Sequence, residues 1–267
     1  MVYYRWRPQW WGLKNDDNLS IIDVVNSGTV DYKLAGLLWL LVEHRASLLV
    51  AAGPSFVGKS TLLHALLDFL PPDVEQVTLS GYDEDFRLTG VGKPENTYLV
   101  TEEMSPHSYE YLWGRQVVKA FELIPKGYAL GGTIHARNIK EVAYILNALG
   151  VPLSLIASLG VVVTLQVTRG RSYSDDLVRY VDTVNTVNLA KEGLVAQALA
   201  ARGSPAASFT YPAEQSLRDI LFTKFGIKRD DISAEIELRG RFLSQLRDKG
   251  ICSRGEVRKA ISEYRQS

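Results

Sequence analysis

The run Ser47-Leu48-Leu49-Val50-Ala51-Ala52 is continuously apolar after its first residue, too short for a helix, and closed by a glycine-rich stretch. It predicts a strand inside the molecule. Leu62-Leu63-His64-Ala65-Leu66-Leu67 predicts a helix that stops near Leu70, because Pro71-Pro72 cannot continue it. Upstream, Ile21, Ile22, Val24 and Val25 follow a helical period up to the break at Ser27-Gly28-Thr29. Asp31 then caps a helix through about Arg45, whose Leu34, Leu37, Leu38, Leu40, Leu41 and Val42 are too many for one exposed stripe, so it packs in the core. Further strands are predicted over Val74 to Leu79, Tyr98 to Val100, Gly127 to Ile134 and Val161 to Val167. Ser105-Pro106 reads as N-cap and first residue of a helix through about Leu123. Asn138-Ile139-Lys140-Glu141 has capping-box spacing and opens a helix ending at Gly150, and Pro152 starts a shorter one. A charged turn, Arg169-Gly170-Arg171 with Ser174-Asp175-Asp176, joins the strand at Val161 to a hairpin partner over Leu177 to Val184. The alanine-rich stretch Glu192 to Ser208 reads as a linker. Beyond it, Ala213–Phe225, Ile232–Lys249 and Glu256–Arg265 are helical, the last opened by a capping box at Ser253 to Glu256.

Strands alternating with helices over most of 267 residues predict one α/β domain with a small helical appendage. Thirty basic and thirty acidic residues cancel, so no overall field favours nucleic acid or anionic lipid, and no nucleic-acid partner is expected. The single cysteine, Cys252, excludes an intrachain disulfide and fits a reducing compartment. Met1 to Lys14 interleaves Tyr3, Tyr4, Trp6, Trp10 and Trp11 with Arg5, Arg7 and Lys14; a packed arm is favoured over an interfacial anchor. With no apolar run of signal-peptide or membrane-span length, the expectation is an unprocessed cytoplasmic protein.

The chemistry concentrates at Gly53-Pro54-Ser55-Phe56-Val57-Gly58-Lys59-Ser60-Thr61, which is G-x-x-x-x-G-K-[ST] between a predicted strand and a predicted helix. Backbone N–H groups of such a loop and of the following helical turn point into one concavity, so a polyphosphate is the natural guest. Lys59 would reach the β- and γ-phosphates, Ser60 would ligate Mg²⁺, and Thr61 would bond a phosphate nearer the base. Across from it, the strand Tyr98-Leu99-Val100-Thr101 ends in Glu102-Glu103, candidates for metal-water coordination and for orienting a water. Adjacent side chains point opposite ways, so one of the two faces the site. His135, at the end of another strand, is placed to sense a γ-phosphate. Leu79-Ser80-Gly81 reads as a turn, and Asp83-Glu84-Asp85 as a solvated acidic tip rather than a source of metal-directed carboxylates.

Leu19–Leu63, with Ile21-Ile22-Asp23-Val24-Val25-Asn26-Ser27-Gly28-Thr29 and Leu38-Trp39-Leu40 ahead of the phosphate loop, resembles the secretion-superfamily ATPases: type II secretion, type IV pilus and archaellum motors. Gly127-Tyr128-Ala129-Leu130-Gly131-Gly132-Thr133-Ile134-His135-Ala136 looks like that family's histidine box, and the strand before Glu102 like its Walker B segment. The tail from Glu235 through Tyr264 is similar to the C-terminal helices of the archaeal-type members. The resemblance implies a RecA-like P-loop core over residues 19–208, a C-terminal helical subdomain over 209–267 and an aromatic, basic arm over 1–18. It further implies ATP and Mg²⁺ as ligands, a hexamer, a membrane platform protein as partner, and movement of subunits or pilins driven by ATP, at the inner face of the cell membrane.

Three departures from the family temper this. Ser80 and Gly81 stand where its acidic-box glutamate belongs, with Asp83, Glu84 or Asp85 as the available substitutes. The segment between Asp85 and Tyr98 is shorter than the family's arginine-bearing one, and Thr101 replaces the Walker B glycine. The N-terminal domain that supplies arginines is reduced to the short arm. Weak hydrolysis is therefore expected, since charge clamps of this kind are worth orders of magnitude in rate. Arg45, Arg87, Arg115 and Arg137 are candidates for the missing positive charge. A nucleotide-binding regulatory or assembly subunit that has lost catalysis is the alternative to a slow motor.

Overall fold

A computed structural model describes residues 19–88, 90–169, 177–228 and 231–265. The aromatic arm and most of the charged turn before Leu177 lie outside these residues. Two short segments open the chain, α1 (Ile21–Asn26) and α2 (Tyr32–Glu43). Ser20 caps α1 through a capping box with Asp23, and the Asp31 carboxylate accepts from the Leu34 N–H at 2.7 Å to start α2. The apolar run becomes β1 (Leu48–Ala52), followed by the glycine loop and α3 (Lys59–Leu67). Then come β2 (Glu75–Thr78), β3 (Thr97–Val100), α4 (Arg115–Phe121), β4 (Ala129–His135), α5 (Ile139–Ala148), α6 (Leu153–Ile156) and β5 (Val161–Arg169). The chain continues through β6 (Leu177–Ala190), β7 (Gly193–Ala201), α7 (Glu214–Phe225), α8 (Ile232–Asp248) and α9 (Arg254–Tyr264).

The strands form a seven-stranded sheet in the order β2-β3-β4-β1-β5-β6-β7, parallel from β2 to β5 and antiparallel across β5-β6-β7. β1 is buried along its whole length between β4 and β5. Its residues alternate between two cores: Leu48, Val50 and Ala52 face α1, α2, α3 and the C-terminal helices, whereas Leu49 and Ala51 face the side of α4, α5 and α6. This mixed α/β architecture agrees with a P-loop ATPase-like fold. α2 is buried as its leucines require, and α8 lies against it at close range. Two glycines allow the approach: a Cβ at Gly36 would meet the Ile236 carbonyl at 2.2 Å, and one at Gly240 the Tyr32 carbonyl at 2.6 Å.

Two expected elements are replaced. The stretch read as a linker contains β7, which pairs with β6 through a two-residue turn at Lys191-Glu192. Alanines have little strand preference of their own, but the extended β6 offers a free edge, and pairing buries Leu199 and Ala200 against the core. The helix expected over Ser105 to Leu123 shrinks to α4. Residues 105–114 instead form a loop over the sheet edge, with Met104 bridging Leu112 and Ile134, and Gly114 (φ 57°, ψ −128°) turns the chain into α4. Leu112 is fully buried there, so the Ser105-Pro106 pair read as a helix start opens a loop tucked against the sheet instead.

The α9 capping box is also altered: the Ser253 hydroxyl bonds the Glu256 carboxylate directly rather than capping backbone. At α5, Asn138 accepts from the Glu141 N–H at 3.0 Å, but the Glu141 carboxylate takes the Arg137 N–H at 2.7 Å, one residue earlier than a capping box requires.

Candidate nucleotide site

Parallel strands bring their C-terminal ends to one edge, which is where the predicted chemistry collects. β1 runs into the loop 53–58, β3 runs into Glu102-Glu103, and β4, inserted between them, ends at His135. The loop closes on Gly58, whose left-handed backbone (φ 89°, ψ 21°) serves as N-cap of α3. A glycine there offers no side chain to the first-turn N–H groups, and the structure shows no side-chain cap at this end. Those donors point into the loop, the arrangement that accepts an anion. Val57 is buried and anchors the loop, Ser60 is exposed, and Phe56 is 82% exposed with a positive φ of 58°. A left-handed phenylalanine carries backbone strain, so the loop is held in shape by its surroundings rather than by local preference.

Lys59 points inward and is almost wholly covered. Its ammonium lies 3.4 and 3.5 Å from the two ring nitrogens of His135 and 3.9 Å from Glu103 Oε2. Burial lowers its pKa, with the Glu103 charge acting the other way. Glu103 Oε1 faces His135 Nε2 at 3.2 Å, and His135 Nδ1 lies 3.3 Å from the Gly53 carbonyl. The two glutamates therefore diverge. Glu103 joins Lys59 and His135, while Glu102 turns toward α3, where its Oε2 is 3.4 Å from His64 Nε2. The Glu102 backbone is fixed by the Thr133 hydroxyl, which donates to its carbonyl at 2.7 Å.

The acidic triplet after β2 is solvated at Asp83 and Asp85 but not at its middle residue. Glu84 is buried, and its carboxylate accepts from the Ser80 N–H at 2.6 Å, the Ser80 hydroxyl at 2.9 Å and the Phe86 N–H at 2.8 Å. It ties down its own turn. Nor is there room for an acidic side chain one position on, because a Cβ at Gly81 would meet the backbone of Glu110 and Tyr109 at 2.4 Å. The loop that replaced the expected helix is what fills that space.

Among the candidate arginines, Arg45 is committed elsewhere: one of its terminal nitrogens donates to the carbonyls of Pro94, Thr97 and Gly127 at 2.8 to 2.9 Å, at the opposite edge of the sheet. Arg87 is exposed beside Asp85, and Arg115 begins α4. Arg137 does reach the loop, its Cγ lying 2.7 Å from where a Cβ on Gly53 would sit, with its guanidinium beside Glu141. Sequence reasoning missed Arg179 of β6, whose Cδ is 3.8 Å from the corresponding position at Gly58. Only the long antiparallel β6 brings it there, and no local pattern announces it.

No protein-family model matches the chain. The chain is similar to two uncharacterized proteins of Methanocaldococcus jannaschii: 26% identical to one over 47% of this chain, and 25% identical to the other over 55%. It spans 53% of the first relative and 30% of the second. Among solved structures, it is similar to the VirB11 ATPase from the Brucella suis type IV secretion system, at 15% identity and a TM-score of 0.39 over 61% of this chain and 54% of that one. It is also similar to the DotB ATPase of Yersinia pseudotuberculosis, at 13% identity and a TM-score of 0.37 over 85% and 60% of the two chains. A third likeness is to the DotB ATPase of Legionella pneumophila, at 11% identity and a TM-score of 0.37 over 87% and 66%. Among the described residues, no helix is long and apolar enough to cross a membrane.

Proposed function

We propose that the chain binds ATP with Mg²⁺ in the loop 53–61 and hydrolyses it slowly, as a motor subunit of a secretion, pilus or archaellum-type machine. The observation that carries the nucleotide reading is the buried Lys59 ammonium, held at 3.4 to 3.9 Å from His135 and Glu103 behind an uncapped helix N-terminus. Those contacts are longer than charge-assisted hydrogen bonds of 2.7–2.9 Å or so, leaving the ammonium able to move onto a phosphate. The residues suit the ligand. Backbone N–H groups of the loop would hold phosphate oxygens, and the exposed Ser60 hydroxyl would take Mg²⁺, which when bound neutralises charge shared by the β- and γ-phosphates. Glu103, which joins Lys59 and His135 where Glu102 does not, would orient the attacking water, and His135 beside it would read the γ-phosphate. Glu102, 3.4 Å from His64 of α3, would act on the metal's waters.

Slow turnover follows from the missing acidic-box carboxylate, whose place is closed by the approach of residues 109–110 to Gly81. The same observation favours the second reading, a nucleotide-responsive subunit without catalysis. A RecA-like core over 19–208, a helical subdomain over 209–267, hexameric assembly and docking at a membrane platform rest on the motifs that resemble the secretion ATPases.

Calorimetry with Mg²⁺ and a non-hydrolysable ATP analogue, paired with phosphate release, tests this. Lys59→Ala is expected to weaken binding by roughly 10- to 100-fold, the worth of a hydrogen bond to a charged group. Glu103→Gln is expected to leave binding intact and slow turnover by roughly 10²-fold. Equal binding by wild type and Lys59→Ala would end the nucleotide reading; binding without any phosphate release would select the regulatory one.

A further inference from the structure

Beside the glycine loop 53–58, the loop 105–114 places His107 against the Glu103–His135 pair. The ligating atoms of Glu103, His107 and His135 all lie within 4.8 Å of one another. Glu103 Oε1 is 3.2 Å from His135 Nε2 and 3.9 Å from His107 Nδ1, and the two imidazoles stand edge to face with centroids 5.7 Å apart. The carboxylate divides its work: Oε2 faces Lys59, and Oε1 faces the two rings. We propose that Glu103, His107 and His135 form a binding site for a divalent transition metal of the zinc type, separate from the Mg²⁺ position at Ser60.

The donor set fits that chemistry. Two imidazoles and one carboxylate suit zinc and its neighbours rather than Mg²⁺, which prefers oxygen ligands. A tetrahedral zinc with ligands at about 2.0–2.1 Å sets its ligand atoms roughly 3.3–3.4 Å apart. The Glu103–His135 separation is already close to this, and the His107 ring, 3.9 Å from Glu103 and within 4.8 Å of His135, has to move inward by up to about 1.5 Å to reach the tetrahedral spacing, which the side chain of an exposed loop residue can do. Three protein ligands leave the fourth position for water. The supporting shell is also present: with the His135 Nδ1 proton donated to the Gly53 carbonyl at 3.3 Å, the Nε2 lone pair faces the cluster, as in metal-ligating histidines generally. Lys59 faces Oε2 of Glu103 at 3.9 Å, which leaves Oε1 to the two imidazoles.

Occupancy would have a consequence that rests on the nucleotide reading above. A metal here draws Glu103 and His135 away from the γ-phosphate position, so zinc would inhibit hydrolysis, and the exposed His107 would make that inhibition removable without touching the catalytic groups.

The test is calorimetric titration of the nucleotide-free protein with Zn²⁺, with Co²⁺ absorption reporting coordination geometry. Wild type is expected to bind one Zn²⁺ and to show the intense visible bands of four-coordinate Co²⁺. His107→Ala is expected to weaken Zn²⁺ binding by roughly 10-fold or more, and His44→Ala, His64→Ala and Cys252→Ser to leave it unchanged. Lys59→Ala separates the two proposals: it loses ATP but keeps zinc, so the metal site stands or falls on its own. Should His107→Ala lose its fold in a thermal melt, His107→Asp, which retains a ligand, decides in its place: recovered Zn²⁺ binding supports the site and absent binding overturns it. No Zn²⁺ binding by wild type, or undiminished binding by a folded His107→Ala, overturns the proposal. Under the inhibition arm, micromolar Zn²⁺ slows phosphate release by wild type and spares His107→Ala; equal inhibition of both removes the regulatory consequence.

Discussion

Among the described residues, two largely covered charge clusters can be set side by side. At the junction of α2, α8 and α9, Glu43 accepts from Arg239 at 2.7 Å and from Arg265 at 2.8 Å, and Arg239 also holds Glu235 at 2.6 Å. Trp39 lies under both guanidinium groups. At the C-terminal edge of the sheet, Lys59, Glu103 and His135 stand 3.2 to 3.9 Å apart. The first cluster holds its charges at full contact, 2.6 to 2.8 Å, and clamps helices, although Arg239 Nε is buried without a hydrogen-bond partner; the second holds its charges at distances that a phosphate or a metal can improve. Burial of charge alone does not mark a site. Charges held short of contact at the C-terminal edge of a parallel sheet do.

The sharpest way to break that contrast is to cut one charge from the first cluster. Arg239→Ala strips Glu43 of one of its two arginines and Glu235 of its Arg239 contact and is expected to cost about 3 kcal/mol in stability, measured by urea unfolding, while the affinity for an ATP analogue stays within error. A shift of nucleotide affinity comparable to that of Lys59→Ala would mean that the two regions are coupled.

Next in size is the seam beside it. Gly36→Ala drives a methyl into the Ile236 carbonyl of α8 and is expected to destabilise by about 1–3 kcal/mol; an unchanged denaturation midpoint would refute the close approach of α2 and α8.

Acid should also discriminate between the clusters. Burial raises the Glu43 pKa, but the hydrogen bonds and charges of Arg239 and Arg265 outweigh it and hold the carboxyl below the ordinary glutamate range. Its contribution is then fully present above the unfolded-state value and is lost as pH falls through the folded one. Stability measured from pH 6 downward should therefore decline less steeply in Glu43→Gln than in wild type.

The smallest expected effect has the opposite sign. Because burial pulls the Lys59 pKa down, the unfolded chain holds that proton more tightly, and near neutral pH the charged lysine opposes folding; the cost is relieved only as pH rises through the lowered value. Lys59→Met should therefore raise the melting temperature of the nucleotide-free protein slightly while removing ATP binding. A fall in melting temperature would place Lys59 among the structural charges.

Much of this architecture was readable because its signals are local. Ser20, Asp31 and Asn138 cap their helices through side chains three residues from their partners, and β1 announces itself by an apolar run that only the inside of a sheet accommodates. Other readings failed where distant groups decide. Glu84 looked solvated until its own turn folded around it, and Glu192 to Ser208 lacked any strand preference until β6 lay beside it.

By itself, the sequence determined the glycine loop, the strand and helix on either side of it, and the acids and histidine that end neighbouring strands, since these depend on spacing along a few residues. The tertiary structure alone decided which glutamate faces Lys59, that Arg45 is engaged while Arg137 and Arg179 reach the loop, and that His107 completes a cluster with Glu103 and His135. Those outcomes depend on where separate strands and a non-helical loop deliver their side chains, and contacts between residues far apart in the chain leave no period or motif to read.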